Sequence, residues 1–403
     1  MSASPIAPSP DVQRLIDEGY AVTIQDSYLI IDNIPYIPQA NMISRGALIC
    51  AYAEIDGVPQ IKGDHTVWFT GSVPCQADGT SLENVLVADK SVQTIAGRQV
   101  RCRLSNKPPD LDEMLANYYN KLIHYIRKLT SYARVIDPTV SASGTGSFTY
   151  RQQPSVFFYP NIAIARSGLD AYEEKLKLPK VSIVGLGGTG SYILDALAKT
   201  PAQEIHLYDH DVIEPDSVYR LPGCMTTEKA FASINKTEYL RDLYSAMRMG
   251  IFSHPVRIDA TNVHELNDSR FVFIAVDDGP SRGLIARHLN TMGIPFIDVG
   301  IGVDKITENV QFLGRARVTL VKHDTTSLID TLPTADDQEE AIYNNIQLVE
   351  LNAINAMLAM VKYKQSLGFY ADEMKPQVLK YVTSWSKLQI SVNQEFEDKD
   401  HQT

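Results

Sequence analysis

The chain has 403 residues and a formal net charge of −11. It is long enough for two or three domains with cores of their own, and its acidic balance excludes the basic footprint that nucleic-acid backbones require. Its four cysteines, Cys50, Cys75, Cys102 and Cys224, contain no C-x-x-C pair, so neither a disulfide framework nor a structural zinc is expected. No basic-then-apolar leader and no apolar run of about 18 residues is found, so a cytoplasmic chain without a membrane span is expected.

After a Pro/Ser-rich start, short β-like runs alternate with turn signals: YAVTI, YLIID, GALICAYAEI, a turn at Asp56-Gly57, then HTVWFTG. This reads as a small, mostly antiparallel unit. His65, Trp68 and Phe69 in its last run suit a partner-binding face, although core packing explains them more simply. Past Pro108-Pro109, Asp110 can cap one helix, because Leu111, Met114, Leu115, Tyr118, Leu122, Ile126 and Leu129 recur every three or four residues. Residues 1–137 are assigned to this α+β domain. The small, turn-forming stretch PTVSASGTGS opens an expected linker over 138–158.

From residue 159 the pattern changes. Apolar runs VSIVGLG, EIHLYD, FVFIAV and PFIDVG alternate with helical segments, the signature of a doubly wound, mainly parallel α/β sheet. Residues 159–310 are assigned to this Rossmann-like domain. Residues 311–395 add further strands and a long helix from Ala341 to Gly368, with Leu348, Leu351, Ile354, Leu358 and Val361 as its apolar stripe. A polar tail, 396–403, closes the chain.

The first of these strands runs into Gly185, Leu186, Gly187, Gly188, Thr189, Gly190 and Ser191, with a helical segment behind them. Glycines at a strand-to-helix turn let phosphate approach backbone N–H groups at the positive end of the helix. Asp209 ends the next strand about 20 residues later, where a carboxylate reaches ribose hydroxyls. Arg220, Lys236, Asp277 and Arg282 follow on loops expected at the carboxyl ends of the strands. A dinucleotide has little use for such a set, whereas a triphosphate needs its charge offset and a Mg²⁺ held.

Gly-x-Gly-Gly-x-Gly-Ser, then Asp209-His210-Asp211-Val212, Arg220, a lysine, and Asp277-Asp278 with Arg282 together resemble the ThiF/MoeB/HesA adenylyltransferases, whose domain ubiquitin-activating enzymes share. The resemblance implies ATP and Mg²⁺ as ligands, with Gly185, Gly187, Gly188, Gly190, Asp209, Asp211 and Ser217 around the nucleotide. It also implies Arg220, Lys236 and Arg166 on the phosphates and Asp277 on the metal. Ser217 stands where these families carry Asn, and a hydroxyl has a shorter reach than an amide. Lys229 competes with Lys236 for the phosphate-lysine role. Asp278 reads either as a further ligand or as a solvated charge.

The implied reaction is adenylation of the C-terminal carboxylate of a ubiquitin-like protein ending in glycine, as in bacterial relatives with an extra N-terminal domain. A homodimer is implied, with a conjugating enzyme as a further partner. No cysteine follows Cys224, so the chain is expected to stop at the acyl-adenylate, with Cys224 or Cys75 as outside candidates for a thioester. Activation of a peptide or tRNA base, a non-catalytic scaffold and a nicotinamide-dependent oxidoreductase remain alternatives at this level.

Overall fold

A computed structural model describes residues 8–391 apart from 56–57, 62–63, 152–153, 160, 307, 309 and 335–345. The expected turn at Asp56-Gly57 and the expected tail, 396–403, lie outside the described residues. The chain divides into two compact units, Met1–Ser155 with Tyr159–Tyr172, and Val156–Phe158 with Glu173–Thr403.

In the first unit, seven strands form one sheet: β1 (Ala21–Gln25), β2 (Tyr28–Gln39), β3 (Met42–Ala51), β4 (Val67–Phe69), β5 (Val87–Asp89), β6 (Cys102–Leu104) and β7 (Ser147–Arg151). Their order is β7-β1-β2-β3-β4-β6-β5, antiparallel except where β7 runs parallel to β1. Asn41 makes the tight turn between β2 and β3 with a φ of 55°, a conformation that Asn tolerates. Helix α1 (Pro10–Asp17) and helix α2 (Tyr118–Ala133) cover one face, burying Val12 and Leu15 with Ile31, Leu48, Phe69, Leu122 and Ile126. Each such side chain contributes about 1.5–3 kcal/mol of apolar burial. Val67, Trp68 and Phe69 are all buried, so the aromatics of this run are packing residues.

Three expectations change here. The single helix expected from Asp110 to Leu129 is two, Leu111–Met114 and α2, because Asp110 caps the first and Asn117 caps the second by accepting from Asn120 N–H at 2.8 Å. The expected linker, 138–158, contains β7, whose Phe148 and Tyr150 pack on the core behind β1. Residues 159–172, expected in the nucleotide-binding domain, belong to the first unit and include α3 (Ile162–Ser167).

The second unit is built on an eight-stranded sheet: β8 (Lys180–Val184), β9 (Glu204–Tyr208), β10 (Ile251–His254), β11 (Phe271–Ile274), β12 (Phe296–Ile306), β13 (Gln311–Val321), β14 (Val378–Val382) and β15 (Lys387–Ser391). Strand order is β10-β9-β8-β11-β12-β13-β14-β15. The first five run parallel and the last three continue as antiparallel neighbours. One face of β8 buries Val181 and Ile183 with Leu194 and Leu197, while Val184 and Ile274 join a separate core with Ile285 and Leu289. Burial on both faces is why these strands read as continuous apolar runs.

Helices α4 (Gly188–Leu197), α5 (Lys236–Tyr244) and α6 (Gly279–Thr291) connect the parallel strands. Fully buried Arg248 donates to the carbonyls of Ala198, Thr200 and Ala202, closing the C-terminal end of α4. The long C-terminal helix, α7, spans Val349–Ser366. Of its expected extent, 341–345 lies outside the described residues and 346–348 is not helical. Its buried face also differs from the expected stripe: Leu351, Asn352, Asn355, Ala356, Ala359, Met360 and Tyr363 are buried, while Val361 is exposed. Close packing against α4 selects small residues and amides over long aliphatics. Among the described residues, no helix is long and apolar enough to cross a membrane.

Candidate functional site

The chain leaves β8 for β9 and β10, then crosses back to β11 on the other side of β8. Such a reversal opens a crevice beyond the carboxyl ends of the two central strands, where open α/β sheets bind ligands. The glycine loop fills this edge. Gly185 has a φ of 90°, and a Cβ there would stand 2.6 Å from the Ala275 carbonyl oxygen, so only glycine allows the loop to pass so close to the end of β11. Gly187 caps α4 without a side-chain hydrogen bond and faces open space. A Cβ on Gly190 would strike the Gly185 carbonyl, and one on Gly188 would strike Asn352. The first N–H groups of α4 are thus presented beside a residue with room for a ligand, the arrangement that holds phosphate.

Asp209, 9% exposed, ties this loop to the next strand. One carboxylate oxygen accepts from Leu186 N–H at 2.6 Å and the other from Asp211 N–H at 2.8 Å. Burial raises its carboxyl above the ordinary range, against the opposing pull of Lys236 and of the two backbone bonds. Lys236, 6% exposed at the first turn of α5, donates from Nζ to Asp211 Oδ2 at 2.7 Å, and its backbone N–H donates to the Asp211 carbonyl. Asn235 positions that turn by accepting from Thr237 N–H. Desolvation alone would raise the Asp211 carboxyl, but Lys236, His210 and Arg220 together lower it. The glycine loop, Asp209, Asp211, Lys236 and Arg220 therefore form one electrostatic group.

Arg220 ends a short 3₁₀ turn, Ser217–Arg220, and pairs with Asp216 at 3.0 Å. Ser217 is buried, and its hydroxyl accepts from Glu214 N–H at 3.4 Å. That short side chain braces its own turn. Lys229 is exposed, whereas Lys236 is built into the group around Asp211.

Asp277 lies exposed just past β11, and its carboxylate makes no hydrogen bond or ion pair to a described residue. Its neighbour Asp278 is engaged, capping α6 through Ser281 N–H at 2.7 Å and pairing with Arg257 at 2.8 Å. Arg282 has a supporting role. It is 6% exposed, pairs at 2.9 Å with fully buried Asp298, which Arg317 also engages, and donates to the carbonyls of Pro333 and Val276. The guanidinium thus pins the backbone one residue before Asp277. Arg166 sits on α3 and belongs to the first unit, whereas the other predicted site residues belong to the second.

Asp209, His210 and Asp211 bring three potential metal-ligand atoms within 4.8 Å of one another. Both carboxylates of this trio are already committed, Asp209 to backbone N–H groups and Asp211 to Lys236. For a hard cation that takes carboxylate oxygen and keeps several waters, the uncommitted carboxylate of Asp277 fits better. The triphosphate fits the open N-terminus of α4 with two cations nearby.

Asn352 on α7 contacts the glycine loop, a contact that the sequence reading missed. It is 1% exposed and accepts from the Thr189 hydroxyl at 2.8 Å, while its Nδ2 has no partner among the described residues. The available signal was a pair of asparagines, Asn352 and Asn355, three apart within an apolar helix. Of the cysteines, Cys224 is exposed, Cys75 half-buried, and Cys50 and Cys102 buried.

Comparison with known proteins gives two family matches, a domain of unknown function (DUF6791) over residues 10–162 and the ThiF family over residues 158–401. Ubiquitin-like modifier-activating enzyme 5 of Aedes aegypti is 23% identical over 163 residues, 38% of this chain and 41% of that protein. Adenylyltransferase and sulfurtransferase UBA4 of Saccharomyces cerevisiae is 25% identical over 145 residues, 35% of this chain and 32% of that protein. The matches therefore span less than half the length of these curated relatives. Among solved structures, E. coli MccB with ATP has a TM-score of 0.45 and 18% identity, covering 57% of this chain and 69% of that one.

Proposed function

The chain belongs to the ThiF family, and from that membership we propose that it is an ATP-dependent adenylyltransferase acting on the C-terminal carboxylate of a ubiquitin-like protein. A carboxylate oxygen attacks the α-phosphorus of ATP, the new O–P bond forms, the bond to the β-phosphate oxygen breaks, and pyrophosphate leaves. The observation that carries this reading is the continuous link from the glycine loop through Asp209 and Asp211 to nearly buried Lys236. It sets a cation, which a phosphate can take over from Asp211, beside unclaimed helix N–H groups.

In this reading Gly185, Gly187, Gly188 and Gly190 shape the phosphate cradle, Asp209 and Asp211 face the ribose side, and Arg220 and Lys236 offset the charge of the leaving pyrophosphate. Asp277 holds Mg²⁺, which when bound supplies further neutralisation of the phosphates. The protein's own contribution is positioning and fixed charge rather than covalent catalysis. A homodimer and a cytoplasmic setting accompany the proposal.

ATP–pyrophosphate exchange with the purified protein and candidate ubiquitin-like proteins ending in glycine tests it. Exchange that depends on one such protein is the expected result. Exchange driven only by short peptides would move the substrate to a peptide carboxylate, and ATP binding without exchange for any carboxylate would remove the activity.

A further inference from the structure

Strand β10 is an edge of the second unit's sheet, where its neighbour is β9. Alternate residues of a strand share a face, so Glu204, His206 and Tyr208 lie on one side of β9, with Phe252 opposite His206 and His254 opposite Tyr208 in the parallel register. Four rings therefore line up. Phe252 and His206 have ring centres 4.7 Å apart, His206 and His254 5.1 Å, and His254 and Tyr208 4.3 Å, each pair within 26° of parallel.

The two histidines are also joined end to end with two carboxylates. His206 Nε2 lies 3.1 Å from Glu204 Oε2, His206 Nδ1 lies 2.9 Å from His254 Nε2, and His254 Nδ1 lies 4.0 Å from Glu265 Oε2 on the 3₁₀ turn Val263–Leu266. A neutral imidazole carries one N–H, so this chain has more junctions than protons. An ionised Glu204 can only accept and takes the His206 proton; His206 Nδ1 is then bare and accepts from His254 Nε2. That leaves His254 Nδ1 bare opposite the Glu265 carboxylate, and this is the long junction.

The charged groups facing the rings are Glu204 from β9, Glu265 from the turn and Lys180 from β8, whose Nζ donates to the Glu265 carbonyl at 3.1 Å, while Asp268 acts on Tyr208. Burial lowers both imidazoles, Lys180 adds to the effect, and the carboxylates oppose it without prevailing. Both rings are thus neutral near pH 7.

We propose that Glu204, His206, His254 and Glu265 form a one-proton switch on the edge of the sheet. A single proton from solvent, added at His254 Nδ1, fills the open junction and draws Glu265 onto the ring. A second proton is barred, because two imidazoliums joined at 2.9 Å repel each other. Closure bears on the carboxyl end of β9, since the His254 carbonyl accepts from Asp209 N–H at 3.3 Å. The switch stands without adenylation. Its sign follows from burial: lowered imidazoles contribute stability above their unfolded value, about 6.5, that is lost as pH falls through the folded values.

Nitrogen NMR of the full chain labelled at histidine tests this from about pH 7.5 to 5, with the two rings recognised by through-space contacts to Phe252 and Tyr208. The expected result is one shared step below about pH 6.5 in which both rings report the uptake of a single proton. Two independent steps of one proton each, or rings already charged at the upper pH, would overturn the proposal. Glu265→Gln removes the receiving charge and should move the step down by about half a unit or more, as a charge 4.0 Å away does even in water. An unmoved step would exclude closure onto Glu265. The proton count in the wild type stands as a test whether or not that variant folds.

Discussion

Lys236 is held in near-complete burial by one carboxylate, Asp211, whose own side chain is half exposed. A phosphate that displaces Asp211 gains a desolvated cation at little structural cost. Lys236→Met is therefore expected to leave the fold intact and to lower exchange by about 10²–10³, the range found when one preorganised charge-stabilising donor is removed. Asp277→Ala should abolish Mg²⁺-dependent exchange with an unchanged melting temperature, because its carboxylate bonds to no other described residue; retained exchange would dismiss Asp277 as the metal ligand. Arg282→Met is the contrasting case. It leaves buried Asp298 with Arg317 alone and should cost about 3–5 kcal/mol in urea unfolding, as expected on breaking a buried pair.

Between elements, the decisive contact joins α4 to α7. Thr189 donates to Asn352, and Gly188 leaves the space that the Asn352 amide occupies. Asn352→Leu should both destabilise the second unit and raise the KM for ATP, since the displaced helix carries the N–H groups of the phosphate cradle; an unchanged KM would make the contact purely structural. The β8–loop–α4 unit was legible in the sequence because strand period, glycines and helix signal coincide there, and Asp209 was picked out by its spacing, whereas Lys236 came from the family resemblance with Lys229 as its rival. The α4–α7 contact was not legible. A helix's buried face follows its partner's shape, and Ala356 and Ala359 carry too little apolar weight to advertise it. The break before α2 was hidden for another reason, since Leu115 and Tyr118 keep helical spacing across the cap at Asn117. Strand β7 was hidden because its serine- and glycine-rich approach reads as linker.

At the scale of the whole molecule, each unit has cores of its own, so ligand and pH should act on them separately. ATP with Mg²⁺ is expected to protect the amides of 185–191, 209–220 and 236–240 from hydrogen exchange while leaving 21–51 unchanged, and NAD should protect neither. Acid should weaken the first unit through Asp64. Burial alone would raise that carboxyl, but Lys121, the Thr66 bonds and Arg103 outweigh it and hold it below the ordinary value. A depressed carboxyl contributes stability above its unfolded pKa, lost as pH falls through the folded one, below about pH 4. Asp64→Asn should flatten that acid limb in pH-dependent denaturation.

The overlap between Gly188 and Asn352 reaches beyond one molecule. Because a side chain at 188 and the amide at 352 claim the same volume, the two positions are expected to change together in evolution although they lie far apart in sequence. Enlarging the first is expected to require shrinking the second. A survey of substitutions in descendants should find the changes arriving together, with glycine retained wherever asparagine persists.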